Sequence, residues 1–187
     1  MHKVLIAGLT IAVFSLVLFS CPAQREPMDV GVLIARAQVT GFGEFADIDG
    51  TINFSEIAMH GTHILGDIGG LEPNRTYAIH IHEFGNCDTP DDPGGHFDPG
   101  ESGRHGLPGL SPGYAHAGDL PNIIAGPAGI ARVDYISNSL GLRDSPFSVI
   151  GRSIVLHEFP DDFTTQPDGG AGERIACGVI DPVDELD

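Results

Sequence analysis

The 187-residue chain is 41% hydrophobic, enough for one buried core, and it has 26 acidic residues against nine lysines and arginines. Its formal net charge of -17 would repel nucleic acid and anionic membranes, and it excludes nucleic acid as a partner. Frequent glycine (26) and proline (14) favour turns over long helices. We therefore predict one all-β domain with long loops.

The first 23 residues differ in composition from the rest of the chain. An almost unbroken apolar run covers 4–19, and no acidic residue precedes Glu26. The run is shorter than the roughly 20 residues that a membrane-spanning helix needs, so it predicts a signal peptide over 1–23, cleaved after Ala23. Two alternatives stay open: a retained membrane anchor, and a lipoprotein signal that ends before Cys21 and leaves a lipid anchor there. We expect an exported protein that is periplasmic, attached to the cell surface as a lipoprotein, or secreted.

The remaining chain, 24–187, is predicted to form one domain built from strands. Segments rich in β-branched and aliphatic residues, bounded by turn-forming residues, recur along it and indicate a sandwich or barrel. They are 30–39, 50–56, 62–68, 76–83, 128–136, 150–157 and 174–180. Two long stretches, 84–124 and 158–173, lack a strand pattern. Loops of this length are usually functional or disordered, and the first contains three histidines, which favours function.

Histidines in two predicted strands form a first candidate ligand set. The two-residue period of a strand puts His80 and His82 on one face of the segment 76–83 and their apolar neighbours on the other. Two imidazoles on a rigid strand make a chelating pair, although His-x-His alone is a weak signal of a metal site. His157 ends the segment 150–157 where the second long loop begins, and it supplies a third candidate ligand from another strand.

A second candidate set lies in the first long loop. Its members are His96, His105, His116 and Asp119. Three imidazoles and one carboxylate suit a closed tetrahedral zinc site, because neutral nitrogen donors match this metal and the carboxylate offsets part of its charge. The alternative is a solvated histidine-rich loop. Against it, nothing obvious would order the glycine, proline and aspartate spacers without a metal.

The cysteines agree with export. With Cys21 in the leader, the mature chain has two cysteines, Cys87 and Cys177. An even count in an exported protein predicts a disulfide bond, because extracytosolic compartments are oxidising. The alternative is two unrelated buried thiols.

Six blocks of residues follow one another in a distinctive order. They are IHIHEFG (79–85), GGHFDP (94–99), HG (105–106), HAGDLPN (116–122), IGRSIVLHE (150–158) and AGERIACGVI (171–180). These blocks resemble the copper,zinc superoxide dismutases, and the resemblance covers about 30–180. It implies an eight-stranded antiparallel Greek-key barrel or sandwich with two long functional loops. It also implies an enzyme that converts superoxide to oxygen and hydrogen peroxide with a copper ion and a zinc ion.

The resemblance implies a role for each candidate residue. The implied copper ligands are His80, His82, His96 and His157. The implied zinc ligands are His96, His105, His116 and Asp119. His96 would bridge the metals and deliver a proton, Arg174 would guide superoxide, and Asp161 would link a copper-bound to a zinc-bound histidine. A Cys87–Cys177 disulfide would join the first loop to the barrel, and the family leaves a homodimer open.

Two other functions fit these residues less well. A non-catalytic copper or zinc binding protein on the same barrel would be expected to lose copper ligands or Arg174, and this chain has all of them. A zinc hydrolase needs an open coordination position and a carboxylate base beside it, whereas the zinc set is already full.

The second long loop departs from the family pattern. It carries no lysine or arginine between His157 and Arg174, and Asp168 stands where relatives commonly have a neutral residue. We therefore expect weak electrostatic guidance of superoxide.

Overall fold

A computed structural model describes residues 31–57, 61–110, 113–143 and 145–183 of the chain. Nine strands and one short 3-10 helix, Gly43–Phe45, make up the regular structure of these ranges. The strands are β1 (Val32–Gly41), β2 (Asp49–Ile57), β3 (Gly61–Gly69), β4 (Thr76–Tyr77), β5 (Ile79–His82), β6 (Ile123–Ile124), β7 (Ala131–Ser137), β8 (Ser153–His157) and β9 (Arg174–Pro182). The described part of the chain contains no helix with the length and apolarity to cross a membrane. The predicted signal peptide, with Cys21 and Ala23, lies outside the described residues.

Seven strands form one antiparallel sheet in the order β5-β8-β9-β1-β2-β3-β7. Strands β1, β2 and β3 are a meander, in which neighbours in the chain are neighbours in the sheet. After β3 the chain crosses to the far edge to form β5, returns to pair β7 with β3, and then inserts β8 and β9 between β5 and β1. These crossings are Greek-key connections, and the predicted all-β Greek-key class is confirmed.

A two-stranded ribbon of β4 and β6 lies between the two edges of this sheet. Only Ala78 separates β4 from the edge strand β5. Directly after β6, Ala125 forms an isolated bridge with Ala131 in β7, which is the other edge strand. The ribbon therefore spans the gap between the edges, as a barrel requires.

Alternating side chains of the strands fill the barrel. In β2, for example, the buried residues Gly50, Ile52 and Phe54 alternate with more exposed ones. Fully burying a large apolar side chain contributes about 1.5–3 kcal/mol. The largest fully buried apolar side chains are Phe54, Ile52, Ile64, Ile68, Ile79, Ile81, Leu120, Ile154, Leu156, Ile175 and Ile180.

The predicted strand 76–83 is divided in two. Its backbone changes partner at Ala78, whose N–H donates to the Phe159 carbonyl (3.0 Å) and whose carbonyl accepts the His157 N–H (2.9 Å). As a result β4 pairs with β6 and β5 pairs with β8. The predicted loop 84–124 was also too long, because its last two residues form β6. A two-residue strand has no periodicity of its own and depends on its partner β4.

Candidate metal centre

Strand β5 carries two histidines whose side chains point away from the barrel core. Ile79 and Ile81 belong to the apolar core, so the alternation of a strand directs His80 and His82 to the opposite face. All four residues are nevertheless buried. The first long loop covers this outer face, and it brings His96, His105, His116 and Asp119 with it.

Backbone hydrogen bonds dock that loop onto β5. Phe97 N–H donates to the Ile81 carbonyl, Ile81 N–H donates to the Gly118 carbonyl, and Gly118 N–H donates to the Phe97 carbonyl, each at 2.9 Å. A Cβ on Gly118 would lie 3.0 Å from the Phe97 nitrogen and against the Ile81 carbonyl oxygen, so only glycine fits this approach. The contacts place His96 and Asp119, the sequence neighbours of Phe97 and Gly118, beside β5.

One group of four imidazoles forms at this face. It consists of His80, His82, His96 and His157, with one nitrogen of each within 4.8 Å of the other three. In three of these rings one nitrogen, called the outer nitrogen here, contacts an oxygen outside the group, and the other is the inner nitrogen. The outer nitrogens of His80, His82 and His157 lie 2.9, 3.0 and 3.4 Å from carboxylate or carbonyl oxygens. Because an oxygen acceptor needs an N–H, the inner nitrogen of each ring presents a lone pair. The inner Nε2 atoms of His82 and His157 are 3.2 Å apart.

A second group forms around one carboxylate. It consists of His96, His105, His116 and Asp119. The Oδ1 atom of Asp119 lies 2.9, 3.0 and 3.2 Å from the Nδ1 atoms of the three rings. Its Oδ2 atom accepts the backbone N–H groups of Gly106 (2.9 Å) and His116 (3.1 Å), which fixes the carboxylate. Three nitrogens and one oxygen thus converge as in a tetrahedral zinc site.

His96 belongs to both groups. Its Nδ1 atom faces Asp119, whereas its Nε2 atom is buried without a hydrogen-bond partner, as is Nδ1 of His80. A buried polar atom left without a partner costs about 1–3 kcal/mol. Coordination to a metal ion would remove this cost at both atoms. These two atoms therefore fit a metal ion in the first group, and the set of three imidazoles and one carboxylate fits a metal ion in the second.

Asp161, in the second long loop, lies between the two groups. Its Oδ2 atom is 2.9 Å from Nε2 of His80, and its Oδ1 atom is 2.8 Å from Nε2 of His105. The backbone N–H of Phe163 also donates to Oδ1 (2.6 Å). One carboxylate thus orients one ring of each group and sets which nitrogen of each ring carries the proton.

A cavity of about 320 Å³ opens beside both groups. Histidines of both groups line it, together with Arg174. Three carboxylates also line it, those of Glu83, Asp98 and Asp168. The cavity is large enough for a small molecule, but its lining has more negative than positive charge.

The first long loop holds Arg174 in place. Its NH1 atom donates to the Pro90 carbonyl (2.8 Å), and its NH2 atom donates to the Gly94 carbonyl (2.6 Å). The same Gly94 carbonyl accepts a hydrogen bond from Nδ1 of His82 (3.0 Å). The guanidinium and one imidazole of the first group therefore share an anchor.

A disulfide bond joins the first loop to the barrel. It links Cys87 to Cys177, and the predicted pairing is confirmed. Cys177 lies in β9 and pairs in register with Thr40 of β1 and Val155 of β8. The loop is thus attached to the middle of the sheet.

Comparison with known proteins identifies the family. Residues 48–180 match the family model described as copper/zinc superoxide dismutase (SODC). The chain belongs to the copper/zinc superoxide dismutase family. It is 42% identical over 120 residues to Cu-Zn superoxide dismutase 1 of Aquifex aeolicus, a match that covers 61% of this chain and 69% of the relative. It is 35% identical over 165 residues to the Cu-Zn superoxide dismutase of Deinococcus radiodurans, covering 83% and 88%.

Solved structures have a similar fold. The crystal structure of a SOD-like protein from Bacillus subtilis is similar with a TM-score of 0.67 and 32% identity, covering 76% of this chain and 95% of that chain. The crystal structure of the clock protein EA4 is similar with a TM-score of 0.71 and 32% identity, covering 81% of this chain and 96% of that chain. The predicted family, enzyme class and cofactors are thereby confirmed. The chain is a superoxide dismutase with copper and zinc as cofactors and superoxide as substrate.

Burial keeps three rings in the first group of this superoxide dismutase, those of His82, His96 and His157, neutral before metal binds. Burial, together with repulsion from neighbouring imidazoles, lowers the pKa of His96 to about 4 and that of His157 to about 2. The pKa of His82 is held well below its usual value for the same reasons. These rings therefore keep their lone pairs available for a metal at neutral and mildly acidic pH.

His105 in the second group behaves in the opposite way. Burial disfavours its charged form, but hydrogen bonds to Asp119 and Asp161 raise its pKa to about 9. In the metal-free protein at neutral pH, the His105 ring is therefore protonated on both nitrogens and positively charged. It has to lose one of these protons to bind a metal. We expect zinc binding near neutral pH to release about one proton, and this number to fall as the pH rises through the pKa of His105.

Calorimetric titrations with zinc in buffers of different ionisation enthalpy count the released protons. His63→Gln is a matched control, because His63 contacts Asp134 (2.8 Å) and belongs to neither metal group. Zinc binding without proton release at neutral pH would contradict the raised pKa.

Two residues have contacts near the site that the sequence analysis left unassigned. Asn122 forms a reciprocal pair with the backbone of Asp161: its Nδ2 donates to the carbonyl (2.9 Å) and its Oδ1 accepts the N–H (2.8 Å). The guanidinium of Arg152 lies 4.5 Å from the ring centre of Phe97 and donates to the Glu83 carbonyl. Because loop asparagines usually serve turns, no sequence signal pointed to the pairing of Asn122 with Asp161.

Proposed function

We propose that the first group binds copper and the second binds zinc, that His96 bridges the two as an imidazolate, and that this centre converts superoxide to oxygen and hydrogen peroxide. The proposed copper-facing atoms are His80 Nδ1, His82 Nε2, His96 Nε2 and His157 Nε2. The proposed zinc-facing atoms are His96 Nδ1, His105 Nδ1, His116 Nδ1 and Asp119 Oδ1. The observation that carries the proposal is His96, whose two ring nitrogens face different groups while the Nε2 atom is buried without a partner.

The donor sets support this division of the metals. Imidazole nitrogens suit copper, and three imidazoles with one carboxylate suit a closed zinc site. When bound, copper supplies one-electron redox chemistry in both directions, and zinc supplies positive charge without redox chemistry. The side chains supply binding and protons. Arg174 would attract and hydrogen-bond the superoxide anion in the cavity. Nε2 of His96, which carries no proton in the imidazolate, would first take one from water and then donate it toward the forming peroxide.

Metal analysis of reconstituted protein tests the proposal. Elemental analysis should find one copper and one zinc per chain, and this protein should consume superoxide in a pulse-radiolysis assay. Zinc alone after reconstitution with both metals would contradict the copper assignment.

Superoxide is expected to reach the copper without strong long-range attraction. The chain has a net charge of -17, and among the described residues that line the cavity Arg174 is the only lysine or arginine. Arg143 instead binds Glu56 (2.6 Å) on the surface. Steering changes association rates by roughly 10- to 1,000-fold where it operates, and salt screens it over about 10 Å at 0.1 M. We expect the rate constant for superoxide to stay flat or rise as ionic strength increases from about 0.01 to about 0.15 M.

Variants separate the local charges. Asp168→Asn should raise the rate severalfold at low salt, because it removes a carboxylate from the cavity, and Arg174→Ile should lower the rate severalfold without loss of metal. Asp67→Asn makes the same charge change on β3, away from the cavity lining, and should have little effect. A wild-type rate that falls steeply with salt would show a basic funnel and contradict this prediction.

We also propose that the enzyme is exported and serves antioxidant defence outside the cytosol. The apolar run 4–19 and the disulfide bond support export, because disulfides persist in oxidising compartments. Intact mass of protein recovered from outside the cytosol distinguishes cleavage after Ala23 from a lipid on Cys21. Full-length chain confined to the cytosol would contradict the proposal.

A further inference from the structure

A glutamine in the second long loop binds the backbone of a residue in the second group. The Nε2 atom of Gln166 donates to the His105 carbonyl (2.8 Å), and its Oε1 atom accepts the His105 N–H (2.8 Å). The same Nε2 atom also donates to the Thr164 carbonyl (3.2 Å). The side-chain amide thus satisfies both backbone groups of His105, as a neighbouring strand would do in a sheet.

His105 is therefore held by the second loop from two directions. Its ring donates to Asp161 from Nε2 (2.8 Å), and its backbone pairs with Gln166. Gly169 packs directly against the contact between the His105 ring and the Asp161 carboxylate. It has a φ of 71°, and a Cβ there would lie 2.6 Å from Nε2 of His105 and against the Asp161 carboxylate. The segment 161–169 thus wraps around His105.

The rim of the cavity follows Gln166 directly in the chain. Pro167 and Asp168 line the cavity together with histidines of both groups. The backbone N–H of Gly169 donates to the Thr165 carbonyl (2.7 Å), so residues 165–169 form one turn that contains Gln166. A displacement of the Gln166 amide would therefore move the rim residues as well.

We propose that Gln166 is a positioning residue that fastens the rim of the superoxide cavity to the zinc group through the backbone of His105. Breaking the amide pair loosens His105 and at the same time lets Pro167 and Asp168 shift. The inference rests on the proposed assignment of zinc to the second group. Loss of a residue that supports a metal ligand costs roughly 10- to 100-fold in metal affinity, and Gln166 is exposed, so the lower end of this range applies.

The test uses copper- and zinc-loaded protein. Gln166→Met keeps the length of the side chain but removes the donor and the acceptor. Gln166→Glu keeps an acceptor for the His105 N–H and removes the donor. Gln38→Met is the matched control, because the amide of Gln38 also makes two side-chain hydrogen bonds but lies on β1. The rate of zinc release to a chromogenic chelator reports on the zinc group. The affinity for azide, a small anion that binds copper(II), reports on the rim and is measured by visible absorption.

We expect Gln166→Met to release zinc about tenfold faster than wild type and to change the azide dissociation constant at least about threefold. In both measurements Gln166→Glu should lie between wild type and Gln166→Met. Gln38→Met should match wild type in both measurements. Zinc release by Gln166→Met within about twofold of wild type, or faster release with unchanged azide binding, would overturn the inference. Failure of the metal assignment is read separately, from a wild-type protein that does not retain one zinc.

Discussion

Replacing His157 with alanine is expected to remove copper and to lower the rate of superoxide dismutation by more than about 100-fold, while zinc stays bound. His157 belongs only to the first group, and its Nε2 atom lies 3.2 Å from that of His82. Losing a residue that merely supports a metal ligand costs roughly 10- to 100-fold in affinity or activity, so losing a ligand costs more. The second group keeps all four of its members and should still hold zinc.

Metal content and superoxide consumption, measured on the same preparation, check this prediction. His116→Ala is the complementary variant, because His116 belongs only to the second group, and it should lose zinc while retaining copper. His63→Ala removes a histidine that belongs to neither group and should keep both metals and full activity. Loss of both metals in His157→Ala would show that the two ligand sets are wrongly divided.

Replacing Cys87 and Cys177 together with serine is expected to lower the free energy of unfolding of the metal-free protein by about 4–5 kcal/mol. The bond closes a loop with a sequence separation of 90. Chain-entropy estimates give about 3 kcal/mol for a 15-residue loop and about 4.7 kcal/mol for a 100-residue loop, because the longer loop restricts the unfolded chain more. The metal-free form isolates this effect from the stability that bound metals add.

Guanidinium unfolding of the metal-free protein measures the change, and wild type with reductant should match the double variant. A difference below about 1 kcal/mol between oxidised wild type and the variant would contradict the prediction.

Loss of the disulfide bond should also affect the site. The carbonyls of Pro90 and Gly94, which anchor Arg174, lie in the loop that Cys87 attaches to β9. The metal-loaded variant should therefore consume superoxide severalfold more slowly even with both metals bound.

Patterns within single segments were sufficient for much of the site. The strand period of 76–83 indicated that His80 and His82 share one face, and the structure places them there, opposite Ile79 and Ile81 of the core. The same periodicity could not show that this segment divides at Ala78. Hydrogen bonds with Phe159 and His157, which lie about eighty residues further along the chain, cause the division. Local pattern therefore predicted the face but not the pairing partner.

The long loops show the same limit more strongly. Their composition indicated function, and the ordered blocks within them carried the resemblance to the family, but neither determined how the loops fold. The first loop is held by backbone bonds to β5, which require the close approach of Gly118. The second is held by Asn122, which pairs with the backbone of Asp161, and by Gln166, which pairs with that of His105. Such amide pairs have no sequence signature because any asparagine or glutamine can form them.

The sequence by itself determined the family, the fold class and the candidate ligands, because these depend on residue types, their order and the period of local structure. Only the tertiary structure decided which nitrogen of these imidazoles points toward the other members of its group. That choice depends on the acceptor at the other nitrogen, and for His80 and His82 the acceptors are Asp161 and Gly94, at sequence separations of 81 and 12. A hydrogen bond between distant segments exists only once the chain has folded, so the chemistry of each donor atom is a property of the fold.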